Sequence, residues 1–237
     1  MNNMTFIIAI QLEDGVVVAV DNKNIQLKDK NINDFEEYDD VKLYGWDGGV
    51  ITGTGEMYVI DKAIRLFINN AESDLKKLPE CLNISRQILE MEVGQHEQIQ
   101  SSKLLYSSFS DSGAKIFAVE CDETGVYRTR EFQNNDVIVW FFNQNIQEIT
   151  QDLNNLYSKA RSYSSFEQQA DGFNYYLHPI AEIFYKQSQV DTWMSSSFNI
   201  CFQTRNQCFS AYIHNQRNDF IEGHQVEGVP MYPFKET

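Results

Sequence analysis

The sequence predicts an α+β chain built as a four-layer αββα sandwich, two antiparallel sheets packed face to face with a pair of helices outside each. Three observations predict it. The elements run strands, two helices, strands, two helices, strands. The first strands are apolar almost without a break, as strands covered on both faces are. Short turn sequences rich in Asp and Gly separate neighbouring β-rich runs and make them antiparallel hairpins.

In chain order, TFIIAIQL from Thr5 is β-rich, Glu13-Asp14-Gly15 is a turn, and VVVAVD to Asp21 is the returning strand. From Asn22 to Asp40 the chain is polar and charged, and a surface loop is expected. A second hairpin is expected from Val41 to Tyr44 and from Gly49 to Thr52, around Asp47-Gly48-Gly49. GTGE ends it, and helical spacing begins at once with Met57, Ile60, Ile64, Leu66, Phe67 and Ile68. A second helix is expected from about Asn83 to Val93, with Asn83 or Ser85 as its cap and Gly94 as its stop. The runs KLLYSSF, KIFAVECD and GVYRTREF read as three strands divided by Asp111-Ser112-Gly113 and Asp122-Glu123-Thr124-Gly125. Helices are expected from about Gln144 to Arg161 and from about Ser165 to Gln187, with Pro179 interrupting the second. SFNICFQT and CFSAYIHN form a last hairpin across Arg205-Asn206-Gln207, and residues 225–237 read as an irregular tail. No repeat of solenoid type occurs, so all 237 residues are expected to form one domain.

Composition limits the partners. A net charge of −15 repels phosphate backbones and anionic lipid, so no nucleic acid and no membrane partner is expected. There is no basic stretch before an apolar run and no apolar run long enough to span a bilayer, which makes the cytoplasm the expected location. The four cysteines, Cys81, Cys121, Cys201 and Cys208, form neither a zinc pattern nor a disulfide framework. His96, His178, His214 and His224 lack ligand spacing, so neither metal nor cofactor is expected. The 12 Tyr, 16 Phe and 3 Trp exceed what a small core needs. Groups such as WFFN and FNYY read equally well as core and as subunit interface.

TFIIAIQLEDGVVVAVD resembles the opening hairpin of a proteasome β-type subunit, an N-terminal-nucleophile (Ntn) hydrolase, and bacterial proteasome-like proteins belong to the same branch. Thr5 begins the first strand, and Asp21 stands sixteen residues on, the family's spacing between nucleophile and first aspartate. VKLYGWDGGVITGTGE is similar to the family's lysine strand followed by its glycine-bearing substrate strand, which places Lys42 and Gly53 at the matching positions. SSKLLYSSFSDSGAKIFAVECDETGVY is similar to the family's central hairpin. VDTWMSSSFN resembles its aspartate-and-serine element, with Asp191 at the aspartate and Ser195, or Met194 nearer its expected place, at the serine. The resemblance implies a sandwich of Ntn hydrolase type, no cofactor, a homo-oligomer such as a ring, and peptide or unfolded protein as substrate.

The residue types suit that chemistry. A threonine hydroxyl is a weak nucleophile, but in an N-terminal threonine the α-amine, with a pKa of about 8, accepts its proton. A nearby ammonium lowers the hydroxyl pKa, and an aspartate orients that ammonium. The resemblance gives these roles to Thr5, Lys42 and Asp21, and an oxyanion-binding N–H to Gly53. Each residue also has a plainer reading: Thr5 as a β-former, Asp21 as a turn residue, Lys42 as a strand-edge charge facing water, and Gly53 as part of the strand-to-helix turn. Two features depart from the pattern. Met1-Asn2-Asn3-Met4 precede Thr5, so a start at Met4 or a self-cut before Thr5 is needed to free the amine. The family's Ser-Gly loop before the third helix is replaced by NNDVIVWFFNQN. Three functions are therefore expected to compete: a threonine amidase or peptidase, a catalytically silent structural or binding protein, and a small-molecule amidohydrolase.

Overall fold

The computed structural model describes residues 5–27, 35–141, 145–205, 207–215 and 229–230. Two larger sheets organise it. In the first, six antiparallel strands lie in the order β10-β1-β2-β11-β12-β13: β1 (Ile7–Gln11), β2 (Gly15–Asp21), β10 (Val137–Trp140), β11 (Phe198–Thr204), β12 (Cys208–Ile213) and β13 (Val229–Pro230). In the second, five strands lie in sequence order: β5 (Tyr44–Trp46), β6 (Gly49–Thr54), β7 (Lys103–Ser110), β8 (Gly113–Cys121) and β9 (Tyr127–Glu131).

The unbroken apolarity of β1 and β2 has a direct cause. Every residue of both strands is buried. Ile8, Ile10, Val17 and Ala19 meet Tyr176, Leu177, Ile180 and Phe184 of the helix α5 (Gln169–Val190). Ile7, Ala9, Val16, Val18 and Val20 turn the other way and meet Leu105, Ile116 and Ala118 of the second sheet. A third apolar cluster joins Ile51, Leu104, Tyr106 and Val119 of that sheet to α1 (Met57–Arg65) and α2 (Leu78–Val93).

Two glutamines tie the sheets together. β9 pairs with β8 only over Phe117–Cys121, so the β8 backbone at Ala114 and Ile116 lacks a strand partner on that edge. Gln11, fully buried on β1, fills the gap: its Oε1 accepts the Ile116 N–H at 2.7 Å, and its Nε2 donates to the Ala114 carbonyl at 3.0 Å. Gln203 of β11 does the same at the β5–β6 turn. Its Nε2 donates to the Gly48 carbonyl at 2.9 Å and its Oε1 accepts from Ser107 Oγ. That turn needs glycine: Gly49 has φ +154°, and a Cβ there would lie 2.5 Å from Gln203 Oε1.

Several expectations are corrected. The segment read as a loop from Asn22 to Asp40 contains a two-stranded hairpin, β3 (Lys23–Leu27) and β4 (Phe35–Asp39). It lacks the apolar alternation that marks a half-buried strand. Thr5 stands two residues before β1, and Lys42 two residues before β5, so neither lies within a strand. α2 begins at Leu78 with Pro79 in its first turn, and neither Asn83 nor Ser85 caps it. Instead Ser85 Oγ donates to the Val59 carbonyl of α1 at 2.8 Å, and Asn83 Oδ1 accepts from Arg86. Gly94 ends α2 at φ +85°, the backbone conformation glycine favours. The short α3 (Glu97–Gln100) follows, unforeseen. The third helix, expected from about Gln144 to Arg161, is shorter: a 3-10 turn at Gln147–Ile149 leads into α4 (Thr150–Ser158). α5 continues through Pro179 to Val190. In the tail, Val229–Pro230 pairs with β12, while the rest of residues 225–237 lies outside the described residues, as does Asn206 of the last turn. Trp140 is buried between the sheets and Phe173 and Tyr176 under α5, which assigns those aromatics to the core; Phe142 lies outside the described residues. No helix among the described residues is long and apolar enough to cross a membrane.

Candidate active site

The site lies where two neighbouring strands part. β5 and β6 pair only from Trp46↔Gly49 to Tyr44↔Ile51, and the same register carried on would set Lys42 opposite Gly53. The chain before Tyr44 peels away instead. The space left is a small cleft, open to solvent and lined by Thr5, Lys42, Gly53, Tyr44, Asp61 and Ile60, among others. Strand alternation aims a backbone donor at it. Val50 N–H faces β7, where Ser107 Oγ accepts it at 3.0 Å, so Gly53 N–H, three residues on, faces the opposite edge of β6. Gly53 is also required sterically, since a Cβ would lie 2.7 Å from the Lys103 carbonyl and 2.8 Å from Ile60 Cδ1.

Asp21 sits beneath this cleft at the end of β2, fully buried. Its Oδ1 accepts the Phe6 N–H at 2.8 Å, its Oδ2 accepts the Lys23 N–H at 3.1 Å, and Lys42 Nζ lies 3.2 Å from Oδ2. One carboxylate thus holds both the backbone next to Thr5 and the lysine that shares the cleft with Thr5. Burial pushes the Asp21 carboxyl above its ordinary range, and attraction to Lys42 opposes that shift. The same burial pulls the Lys42 ammonium below its ordinary range against the attraction of Asp21, so this lysine gives up its proton more readily than a free one. Tyr44 is pushed up to about 12 by burial and by the Asp61 and Asp40 carboxylates, and so remains a neutral phenol.

The structure brings Thr5, Asp21, Lys42 and Gly53 together. It places Asp191 and Ser195 next door rather than in the cleft. Asp191 follows α5 and accepts the Trp193 N–H at 3.0 Å. Ser195 Oγ donates to the Ser197 carbonyl and accepts the Asn22 N–H at 3.2 Å, so it fixes the residue after Asp21. Met194 points into the α5 core. Lys23 Nζ donates to the Thr192 carbonyl at 2.6 Å and adds to the same seam. Val137–Trp140, within the stretch NNDVIVWFFNQN, is a strand, and Phe141 packs on the α5 cluster.

Sequence reading missed the cleft walls, Tyr44, Thr54 and Asp61. Asp61 carried a signal, since helical spacing puts it, four residues after Met57, on the face of α1 that also carries Ile60. Asn22 was missed too: it is buried, and neither atom of its side-chain amide has a hydrogen-bond partner. No group of three or more His, Cys, Asp or Glu side chains among the described residues is placed to hold a metal ion.

The fold is proteasome-like. Solved structures that show it include several of Anbu, an ancestral β-subunit. Anbu from Yersinia bercovieri matches with a TM-score of 0.60 at 9% identity over 89% of this chain and 88% of its own. Anbu from Hyphomicrobium sp. strain MC1 matches at 0.59 and 11% identity, over 91% and 90%. A helical assembly of the Anbu complex from Pseudomonas aeruginosa matches at 0.62 and 10% identity, over 91% and 89%. At such identities the likeness is one of fold. No family model and no curated protein sequence matches the chain.

Proposed function

We propose that this chain is a single-domain Ntn-type αββα sandwich that cleaves amide bonds with Thr5 as an N-terminal nucleophile. The observation that carries the reading is the shared cleft of Thr5, Lys42 and Gly53 over a buried Asp21 that holds both Lys42 and the Phe6 N–H. In this reading the Thr5 hydroxyl adds to a substrate carbonyl and its proton passes to the Thr5 α-amine. Lys42 supplies positive charge beside the oxygen, and Gly53 N–H stabilises the oxyanion. The C–N bond then breaks, the leaving amine takes the proton, and water hydrolyses the ester left on Thr5. An extended peptide fits the uncovered edge of β6 by adding as a strand. Asp191 and Ser195 are positioning residues that brace the end of β2. The helical assembly of one Anbu supports a homo-oligomer, ring-shaped or helical, as the working form.

The amine must be free, so the reaction belongs to a chain that begins at Thr5. The test uses protein cut to start there, with an electrophile that bonds N-terminal threonine and a fluorogenic peptide. Labelling at Thr5 together with turnover, both lost in Thr5→Ala, is the expected result. A free Thr5 that neither reacts nor turns over peptide overturns the reading in favour of a catalytically silent member of the fold. The strand at Val137–Trp140, standing in place of the Ser-Gly loop, favours that second reading. Turnover of small amides without peptide cleavage would identify an amidohydrolase.

A further inference from the structure

Away from the cleft, two thiols meet on the last hairpin. Cys201 lies in β11 and Cys208 opens β12, and their Sγ atoms are 3.1 Å apart with no bond between them. The register explains the meeting. Cys201 stands opposite Ser210 and Cys208 opposite Gln203, so the two cysteines are diagonal neighbours on one face of the hairpin. That face looks into the space between the sheets, where Cys201 is fully buried and Cys208 packs against the cluster while only partly buried. The other two cysteines differ. Cys81 packs in the α1–α2 cluster, and Cys121 is exposed at the end of β8.

We propose that Cys201 and Cys208 are an oxidisable dithiol that closes to a disulfide when a peroxide reaches Cys208. Exposure assigns the order. Cys208 is the sulfur an oxidant meets first, and Cys201 is held behind it. Burial raises the Cys201 thiol far above its ordinary range, so in the resting protein this sulfur keeps its proton and stays unreactive towards solvent. In the first step the Cys208 sulfur attacks one peroxide oxygen, the O–O bond breaks, and the thiol proton goes to the departing oxygen, so sulfenic acid and water result. In the second, Cys201 Sγ attacks the Cys208 sulfur. The S–S bond forms, the S–O bond breaks, and the departing hydroxide leaves as water with the Cys201 proton. Two thiols and one hydrogen peroxide thus become one disulfide and two waters. The sulfurs must close from 3.1 Å to about 2.05 Å, an approach of about 1 Å. Cys208 is the first residue of β12, so the approach falls at the end of that strand. Gln203, between the two cysteines on the same face, already anchors β11 to Gly48 of the other sheet, so the bond would lock β12 to the same anchor.

Full-length protein titrated with hydrogen peroxide, then denatured, alkylated and mapped by mass spectrometry, tests this. Peptides holding Cys201 and Cys208 are expected to leave the free-thiol pool together, in one linked species that a thiol reductant reverses, while Cys81 stays reduced. In Cys201→Ser, Cys208 is expected to stop at the sulfenic acid and be captured by dimedone. In Cys208→Ser, Cys201 is expected to stay reduced. Cys208 oxidised with Cys201 still free in the wild-type protein overturns the proposal. So does Cys208 bonded to Cys121 of a second chain, or both thiols still free once Cys121 is fully oxidised.

Discussion

Asp21 shows how one side chain serves structure and site together. It is a buried carboxylate with two backbone donors and one ammonium, and the ion pair is almost wholly buried. Removing one partner strands the other charge in the interior, which costs about 3–5 kcal/mol, whereas removing both charges costs far less. Lys42→Met is therefore expected to lower stability by about 3–5 kcal/mol. Asp21→Asn combined with Lys42→Met is expected to regain most of it, read by urea denaturation of both variants. A double variant as weak as the single one would mean that packing, not charge, sets the cost. At this scale the sequence carried a signal in the sixteen-residue spacing of Thr5 and Asp21; in the structure Thr5, Lys42 and Gly53 line one cleft and Asp21 pairs with Lys42. Asp191 and Ser195 were less legible. The Ser195 contact to Asn22 depends on how the segment after α5 docks on residues 22–23, a long-range event that no local pattern encodes, while Asp191 accepts from Trp193 within its own turn.

Among the elements, those that bury a regular apolar face were readable. β1 and β2 declared themselves by β-branched runs around Asp14-Gly15, and α1 by its helical spacing. Elements held by polar contacts were not. β3–β4 is anchored through Lys23–Glu37 and through Asn24 Nδ2 donating to Asp40, pairings that look like loop chemistry in one dimension. The start of α2 was misplaced because Ser85 seemed a cap, whereas its hydroxyl reaches across to α1. This link carries a testable weight. Ser85→Ala leaves the buried Val59 carbonyl without its side-chain donor and is expected to cost about 1 kcal/mol. The measurement is the denaturation midpoint, with the slope unchanged if only stability shifts. No loss of stability would show that the hydroxyl bond adds nothing to the packing of α1 on α2.

Across the whole molecule, burial also sets how the protein meets alkali. Tyr44, Tyr106, Tyr127 and Tyr176 are each pushed up to about 12 by burial, against an ordinary value of 10. A raised pKa means that the folded state holds its proton more tightly than the unfolded one. The stabilisation this gives is complete below about pH 10 and disappears as the pH rises towards 12. Ultraviolet titration is expected to show these phenols ionising late, together with loss of structure, and ionisation near pH 10 with the fold intact would contradict the burial. The two-sheet arrangement itself was legible, because both faces of β1 and β2 are apolar. The glutamine ties were not, because Gln11 in an apolar run gives no hint of a gap in the edge of β8. Gln11→Leu is expected to cost about 1–3 kcal/mol for each backbone group left unpaired, measurable by thermal or chemical denaturation. The tie also alters how the molecule can come apart. Peeling β9 off its sheet would strip Phe117–Cys121 but leave Ala114 and Ile116 riveted to β1. A tear started at that outer strand therefore stops at the rivet, and the two sheets separate only after an amide deep in the interior lets go.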